Sequence, residues 1–185
     1  MEGDRNTKFF HRLANFRRKF NAIQSICVDG VCVDDVSLMK GAIVNFYSEL
    51  CREDLPGRPF FKGLSYDTIL DGDASDLLKE FSEEEVWKAI INLGKEKAPG
   101  PDGFNITFFQ HCWSTVKGEI MGLFSEFHSK GVFEKSLNAT FISLIPKVAG
   151  TNDINKFRPI GLVGSVCKIL AKVLAPRLRV VVDKL

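Results

Sequence analysis

Lys147 and Arg158 stand eleven residues apart, each next to a proline (Pro146, Pro159) and each at the end of a short apolar run, Phe141–Ile145 and Phe157–Leu162. Lysine is a point charge and arginine a planar fork of donors, so two such cations on a strand-loop-strand unit can grip a phosphate chain from one side. The chemistry this pair suggests is recognition of a nucleotide phosphate. The other reading of the same residues is a surface hairpin with two solvated charges. Further cations recur at Lys95, Lys97, Lys168, Lys172, Arg177 and Arg179. These can track a nucleic-acid backbone by displacing its counterions, or they can simply face water.

Other site chemistries find no pattern. His11, His111 and His128 stand far apart in the sequence, with no carboxylate or cysteine at ligand spacing. There is no Gly-x-Ser-x-Gly elbow and no Gly-x-x-x-x-Gly-Lys-Ser/Thr phosphate loop. The five cysteines are an odd number with no C-x-x-C pair, so neither a disulfide framework nor a zinc site is expected. That usage suits a reducing, intracellular setting, nuclear or cytoplasmic.

The elements that must position these groups are legible from periodicity and caps. Phe9, Leu13, Phe16 and Phe20 recur at helical spacing among basic residues, which predicts an amphipathic helix over the first twenty residues. Its rings and cations can meet bases and phosphates, or its apolar stripe can dock on a core. Asp29-Gly30 between Ala22–Val28 and Val31–Val33 predicts a hairpin. Asp35 is placed to cap a helix running to about Cys51, with Met39, Ile43, Phe46, Tyr47 and Leu50 inward. The Pro- and Gly-rich stretch 52–75 reads as a linker.

Beyond the linker, Ser82 with Glu85 forms a capping-box pattern for a helix burying Val86, Trp87, Ile90 and Leu93. The loop 95–103 is punctuated by Pro99, Gly100, Pro101 and Gly103, whose glycines permit positive φ while Asp102 can cap the next helix. A long helix over 104–129, ended by Gly131, follows. After the two short strands, Ser165 to Leu174 is helical, and Pro176 either kinks that helix or starts another. The fold class expected is α+β, mostly helical with two small antiparallel β-hairpins. Residues 1–51 form a helix, hairpin and helix, 52–75 the linker, and 76–185 the second region.

The 185 residues carry 45% hydrophobic and 26% charged side chains, which is ordinary globular usage and excludes wholesale disorder. No apolar run reaches the ~18 residues of a membrane span, and no secretory h-region follows Met1, so no membrane partner is expected. The formal net charge of +2 hides segregation: +4 over 1–20, −8 over 21–94 and +6 over 95–185. From Lys135 onward nine basic residues face only Asp153 and Asp183. Such asymmetry draws a polyanion to one end of a molecule, or merely reflects solvated helix faces.

Three segments, taken in order, carry a family resemblance. Gly3-Asp-Arg-Asn-Thr-Lys-Phe-Phe-His11 resembles the stretch between the endonuclease and polymerase regions of plant LINE-type (non-LTR) retrotransposons. Lys97-Ala-Pro-Gly-Pro-Asp-Gly103, and Ile142-Ser-Leu-Ile-Pro-Lys147 followed by Phe157-Arg-Pro-Ile-Gly-Leu162, are similar to the opening blocks of the reverse transcriptase of that class.

The resemblance implies an RNA-directed DNA polymerase whose fingers region occupies 76–185, with Lys147 and Arg158 on the phosphates of a deoxynucleoside triphosphate. It also implies an RNA or DNA template as partner. The family's Mg²⁺-binding aspartates lie on a palm strand and a Tyr/Phe-x-Asp-Asp hairpin further on. Tyr47 and Tyr66 open no such hairpin, Asp34 and Asp35 come too early, and Asp183 sits in a basic segment. The chain is therefore expected to be an N-terminal and fingers portion lacking the palm. No catalytic or metal residue and no cofactor is expected in it, Mg²⁺ belonging to the complete enzyme, and no polymerase activity is expected from it alone. A nucleic-acid-binding module, or an inert remnant acting as a helical interaction protein, is the alternative.

Overall fold

A computed structural model describes residues 7–54, 57, 63, 67–95 and 97–184. The chain is α+β, with 54% of it helical and two small antiparallel two-stranded sheets. It divides into two compact units, Met1–Phe60 with Ser143–Ile160, and Phe61–Ile142 with Gly161–Leu185. Of the expected linker over 52–75, residues 55, 56, 58–62 and 64–66 lie outside the described residues, as do the first six residues of the chain, and a helix, Asp71–Leu77, begins within its last five positions.

The first unit begins with α1 (Lys8–Asn21). Strands β1 (Ile26–Val28) and β2 (Val31–Val33) pair as Ile26 with Val33, Cys27 with Cys32 and Val28 with Val31. Asp29 and Gly30 turn the hairpin with φ of 49° and 83°, the two positive angles of a type I′ turn. Cys27 and Cys32, directly opposite, form a disulfide, which corrects the expectation of unpaired cysteines. Helix α2 (Val36–Leu50) starts where Asp35 accepts from the Ser37 and Leu38 amides at 2.9 and 3.0 Å. Leu50, expected inward, is exposed.

Strands β3 (Thr140–Pro146) and β4 (Phe157–Val163) form the second ribbon. Its connector holds a single 3₁₀ turn, Ile154–Lys156, and the Cys27 amide donates to the Asn152 carbonyl at 2.7 Å. Ile26, Met39, Ile154 and Phe157 make this unit's small buried core, with Ile43, Phe46, Tyr47 and Leu144 around it. Burial of each such side chain is worth roughly 1.5–3 kcal/mol, so the connector is anchored mainly by Ile154 and Phe157.

The second unit holds α3 (Asp71–Leu77), α4 (Glu83–Ile91), α5 (Ile106–His111), α6 (Trp113–Lys130) and α7 (Ser165–Val182). The long helix expected over 104–129 is two helices broken at Cys112. The break lets Ile106 and Phe109 from α5, and Ile120 and Phe124 from α6, enter one core with Val86 and Ile90. Trp113 then stacks on Trp87 with ring centres 5.4 Å apart. Gly131 ends α6 at φ 65°, its amide donating to the Phe127 carbonyl at 2.8 Å.

Helix α7 continues uninterrupted past Pro176, although proline removes one backbone donor. Val173 and Val181 are buried on either side of it, and their packing holds both halves in one helix. Phe109 and Phe124 are buried, Phe108, Phe127 and Phe133 half-buried, and Phe104 exposed.

Candidate functional site

The Lys147 amide donates to the Lys156 carbonyl at 2.8 Å, which sets these residues opposite each other across the ribbon. Lys147 directly follows β3 and Arg158 lies in β4, where alternation sets it opposite to the side of Phe157, while Lys156, the last residue of the 3₁₀ turn, faces Lys147 across the ribbon. Burial agrees: the three cations are exposed, whereas Pro146 and Phe157 are buried. The Lys147 ammonium donates to the Asn155 carbonyl at 2.9 Å, which fixes its position and leaves two N–H bonds for another acceptor. Arg158 makes no hydrogen bond or ion pair among the described residues.

Lys156, absent from the sequence-based candidates, completes the group. Its ammonium lies 3.7 Å from Asp153, whose carboxylate accepts from the Asn155 amide at 3.0 Å and its side-chain amide at 3.2 Å. Those two hydrogen bonds, with the Lys156 charge as a lesser contribution, hold the Asp153 pKa below its ordinary value. Three cations and one ionised carboxylate thus occupy the tip. Its place two residues before Arg158, at the end of the turn that leads into β4, was the available signal for it.

The other candidate cations belong to the second unit and divide by environment. Arg177 spends every guanidinium donor internally. Its Nε and Nη2 donate to the two Glu85 oxygens at 2.7 and 2.6 Å, Nη1 to the carbonyls of Leu77 and Lys79, and Nη2 also to that of Glu80. The guanidinium lies 4.4 Å from the centre of the Phe81 ring, and the side chain is 14% exposed. Its N–H groups are all engaged, so it offers no donor to a phosphate, and the expectation of a nucleic-acid contact there is corrected. The spacing carried that signal, since Arg177 falls four residues after Val173 and four before Val181, inside the buried stripe of α7.

Lys168 donates to the Ala98 carbonyl at 3.0 Å and so ties α7 to the loop that bears Lys95 and Lys97. Lys95, Lys97, Lys172 and Arg179 are exposed. Lys168, Lys172 and Arg179, at i, i+4 and i+11, fall on one stripe of α7.

The Pro-Gly loop docks on the start of α7. A Cβ on Gly100 would lie 2.5 Å from the Gly164 nitrogen and the Val163 carbonyl carbon, so backbone meets backbone there and only glycine fits. Gly100 thus serves close approach, and Gly103 alone of the two takes positive φ, at 72°. Asn105, through its 3.0 Å bond from the Phe108 amide, caps the following helix. Asp102 instead accepts from the Ser165 amide at the N-terminus of α7, where Gly164 has no side chain to cap with. The Ser165 hydroxyl donates to the Phe104 carbonyl at 2.6 Å.

Among the described residues no group of three or more His, Cys, Asp or Glu converges on a point. No helix described is long and apolar enough to cross a membrane.

No family model matches the chain. The chain is similar to the Transposon TX1 uncharacterized 149 kDa protein of Xenopus laevis, at 30% identity over 186 residues, covering 95% of this chain. It spans only 14% of that relative's length. The similarity supports a transposon-derived protein.

Proposed function

We propose that the chain corresponds to the N-terminal and fingers portion of a LINE-type reverse transcriptase, with Lys147, Arg158 and Lys156 receiving the phosphates of a deoxynucleoside triphosphate. The observation that carries this reading is the exposure of those three cations at the ribbon tip, with Lys147 held by Asn155 and Arg158 left open. Similarity to a transposon protein along nearly the whole chain supports it. Held cations lose little freedom on binding, and charge-assisted bonds to phosphate are about twice as strong as neutral ones. In the complete enzyme Mg²⁺ would neutralise charge on the phosphates. The cations here do the positioning alone, so the chain by itself extends no primer.

The test is binding of a fluorescent deoxynucleoside triphosphate by the full chain. Lys147→Ala with Arg158→Ala is expected to weaken binding about tenfold or more, since each charge-assisted bond contributes about 1.5–3 kcal/mol. Unchanged binding, or templated primer extension by the pure chain, overturns the reading. A second reading, a nucleic-acid-binding module, is favoured by the exposed Lys95, Lys97, Lys172 and Arg179. Neutralising those four should then flatten the salt dependence of RNA binding.

A further inference from the structure

Helix α1 is the most uncovered element of the first unit. None of its residues is buried, and Phe9 and Phe16 are 66% and 64% exposed. It carries Lys8, Arg12, Arg17, Arg18 and Lys19 and no carboxylate, and none of these cations pairs with an acid among the described residues. Phe16 and Phe20 lie with ring centres 6.2 Å apart at 30°.

A cleft of about 230 Å³ opens at the end of this helix, between Lys19 and Phe20 on one side and Pro146, Asn152 and Phe157 of the β3–β4 ribbon and its connector on the other, with Gln24 and Ser25 at its rim. The side-chain amides of Gln24 and Asn152 and the Ser25 hydroxyl have no hydrogen-bond partner among the described residues. No carboxylate lines the cleft. Pro146 and Phe157 show that it faces the side of the ribbon away from Lys147 and Arg158, so it is a different site.

We propose that this cleft holds one base of a single-stranded polynucleotide whose phosphates run along α1. The volume falls below the ~300 Å³ of drug-sized pockets and suits one planar heterocycle. An aromatic ring with free amides is what an unpaired base needs, a face to stack on and groups for its edge. Five cations on the adjoining helix, none paired with an acid among the described residues, complement a phosphate chain. A duplex cannot insert a base without unpairing it, so the preference is for single strands. The inference does not depend on the polymerase reading.

The test measures fluorescence anisotropy of labelled single-stranded RNA and DNA with the full chain, beside an abasic strand of equal length, a duplex and anionic lipid vesicles. The base-bearing strand binds more tightly than the abasic one. Phe20→Ala and Asn152→Ala, checked for fold by circular dichroism, each weaken the base-bearing strand about tenfold and barely change the abasic one. Arg18→Gln with Lys19→Gln weakens both strands alike and reduces the salt slope, while Lys40→Gln on α2 changes neither. Equal affinity for abasic and base-bearing strands, preference for duplex or vesicles, or no strand binding overturns the proposal. The triphosphate assay reads another ligand on another face, so either result can fail without the other.

Discussion

Arg177 and Glu85 meet in a two-pronged ion pair, Nε to Oε1 at 2.7 Å and Nη2 to Oε2 at 2.6 Å, that joins α7 to the first turn of α4. Glu85 is the acid of the Ser82 capping pattern, and the Ser82 hydroxyl still accepts from the Glu85 amide at 3.2 Å. One glutamate therefore serves the start of α4 through its backbone and α7 through its carboxylate. The guanidinium also closes the carbonyls of 77, 79 and 80 just before that helix.

Replacing this arginine should be costly out of proportion to its charge. Arg177→Lys keeps the charge but loses the fork, and Arg177→Met leaves Glu85 and three carbonyls without their donor. Removing one partner of a largely buried pair costs about 3–5 kcal/mol. Denaturant melts should show Arg177→Met near that range, with Arg177→Lys between it and the parent. A loss below 1 kcal/mol for Arg177→Met would assign the pair to the surface class.

Two glycines of one loop should respond differently to the same methyl group. Gly100→Ala meets backbone at 2.5 Å and must push the loop off the Val163–Gly164 junction, whereas Gly103→Ala meets open space and bears only its φ of 72°. The second change costs about 1–2 kcal/mol. The first should cost more and also lose protection of the Ser165 amide in hydrogen exchange. Equal stabilities would contradict the close approach.

Reduction of the Cys27–Cys32 bond should loosen the first unit. A closed loop this short contributes about 2 kcal/mol in the chain-entropy account. Because the Cys27 amide donates to Asn152, the connector should feel the change. Hydrogen exchange of the Cys27 and Lys147 amides is expected to speed up with reductant or in Cys27→Ser with Cys32→Ser. Rates that ignore the redox state would remove the staple's role.

Acid should release the ribbon tip. Asp153 has a pKa held down in the folded chain, so its contribution is complete above the ordinary carboxylate value of about 4 and fades as pH falls through the lower folded value. Protection of the Asn155 amide, taken relative to its intrinsic exchange rate at each pH, should fall through that window, and Asp153→Ala should abolish that fall. A flat profile in the parent chain would break the assignment.

Local signals were well read from the chain itself. Asp35, Ser82 and Gly131 cap what their types suggest, and Asp29-Gly30 makes its turn. A cap or turn needs only neighbours in sequence, so residue type suffices. What escaped depends on partners far along the chain. Arg177 looked like one more surface cation because its acceptors lie about a hundred positions earlier, and Asp102 looked like a local cap because its true acceptor relationship is with Ser165. The disulfide was in reach, since the hairpin already expected sets Cys27 against Cys32. For the candidate site, spacing announced the hairpin of Lys147 and Arg158. Only the register, fixed by the Lys147 amide, brought Lys156 in with them.

Asp102 caps a helix that begins sixty-three positions later, at Ser165. The opening turn of α7 therefore has no side-chain cap of its own to nucleate it, and must wait during folding until the loop before α5 has closed a long excursion of chain. Its far half is fastened by Arg177 to Glu85, ninety-two positions earlier, a longer excursion still, so both ends of α7 wait on distant partners and the helix is held as part of the finished core rather than as an early local turn.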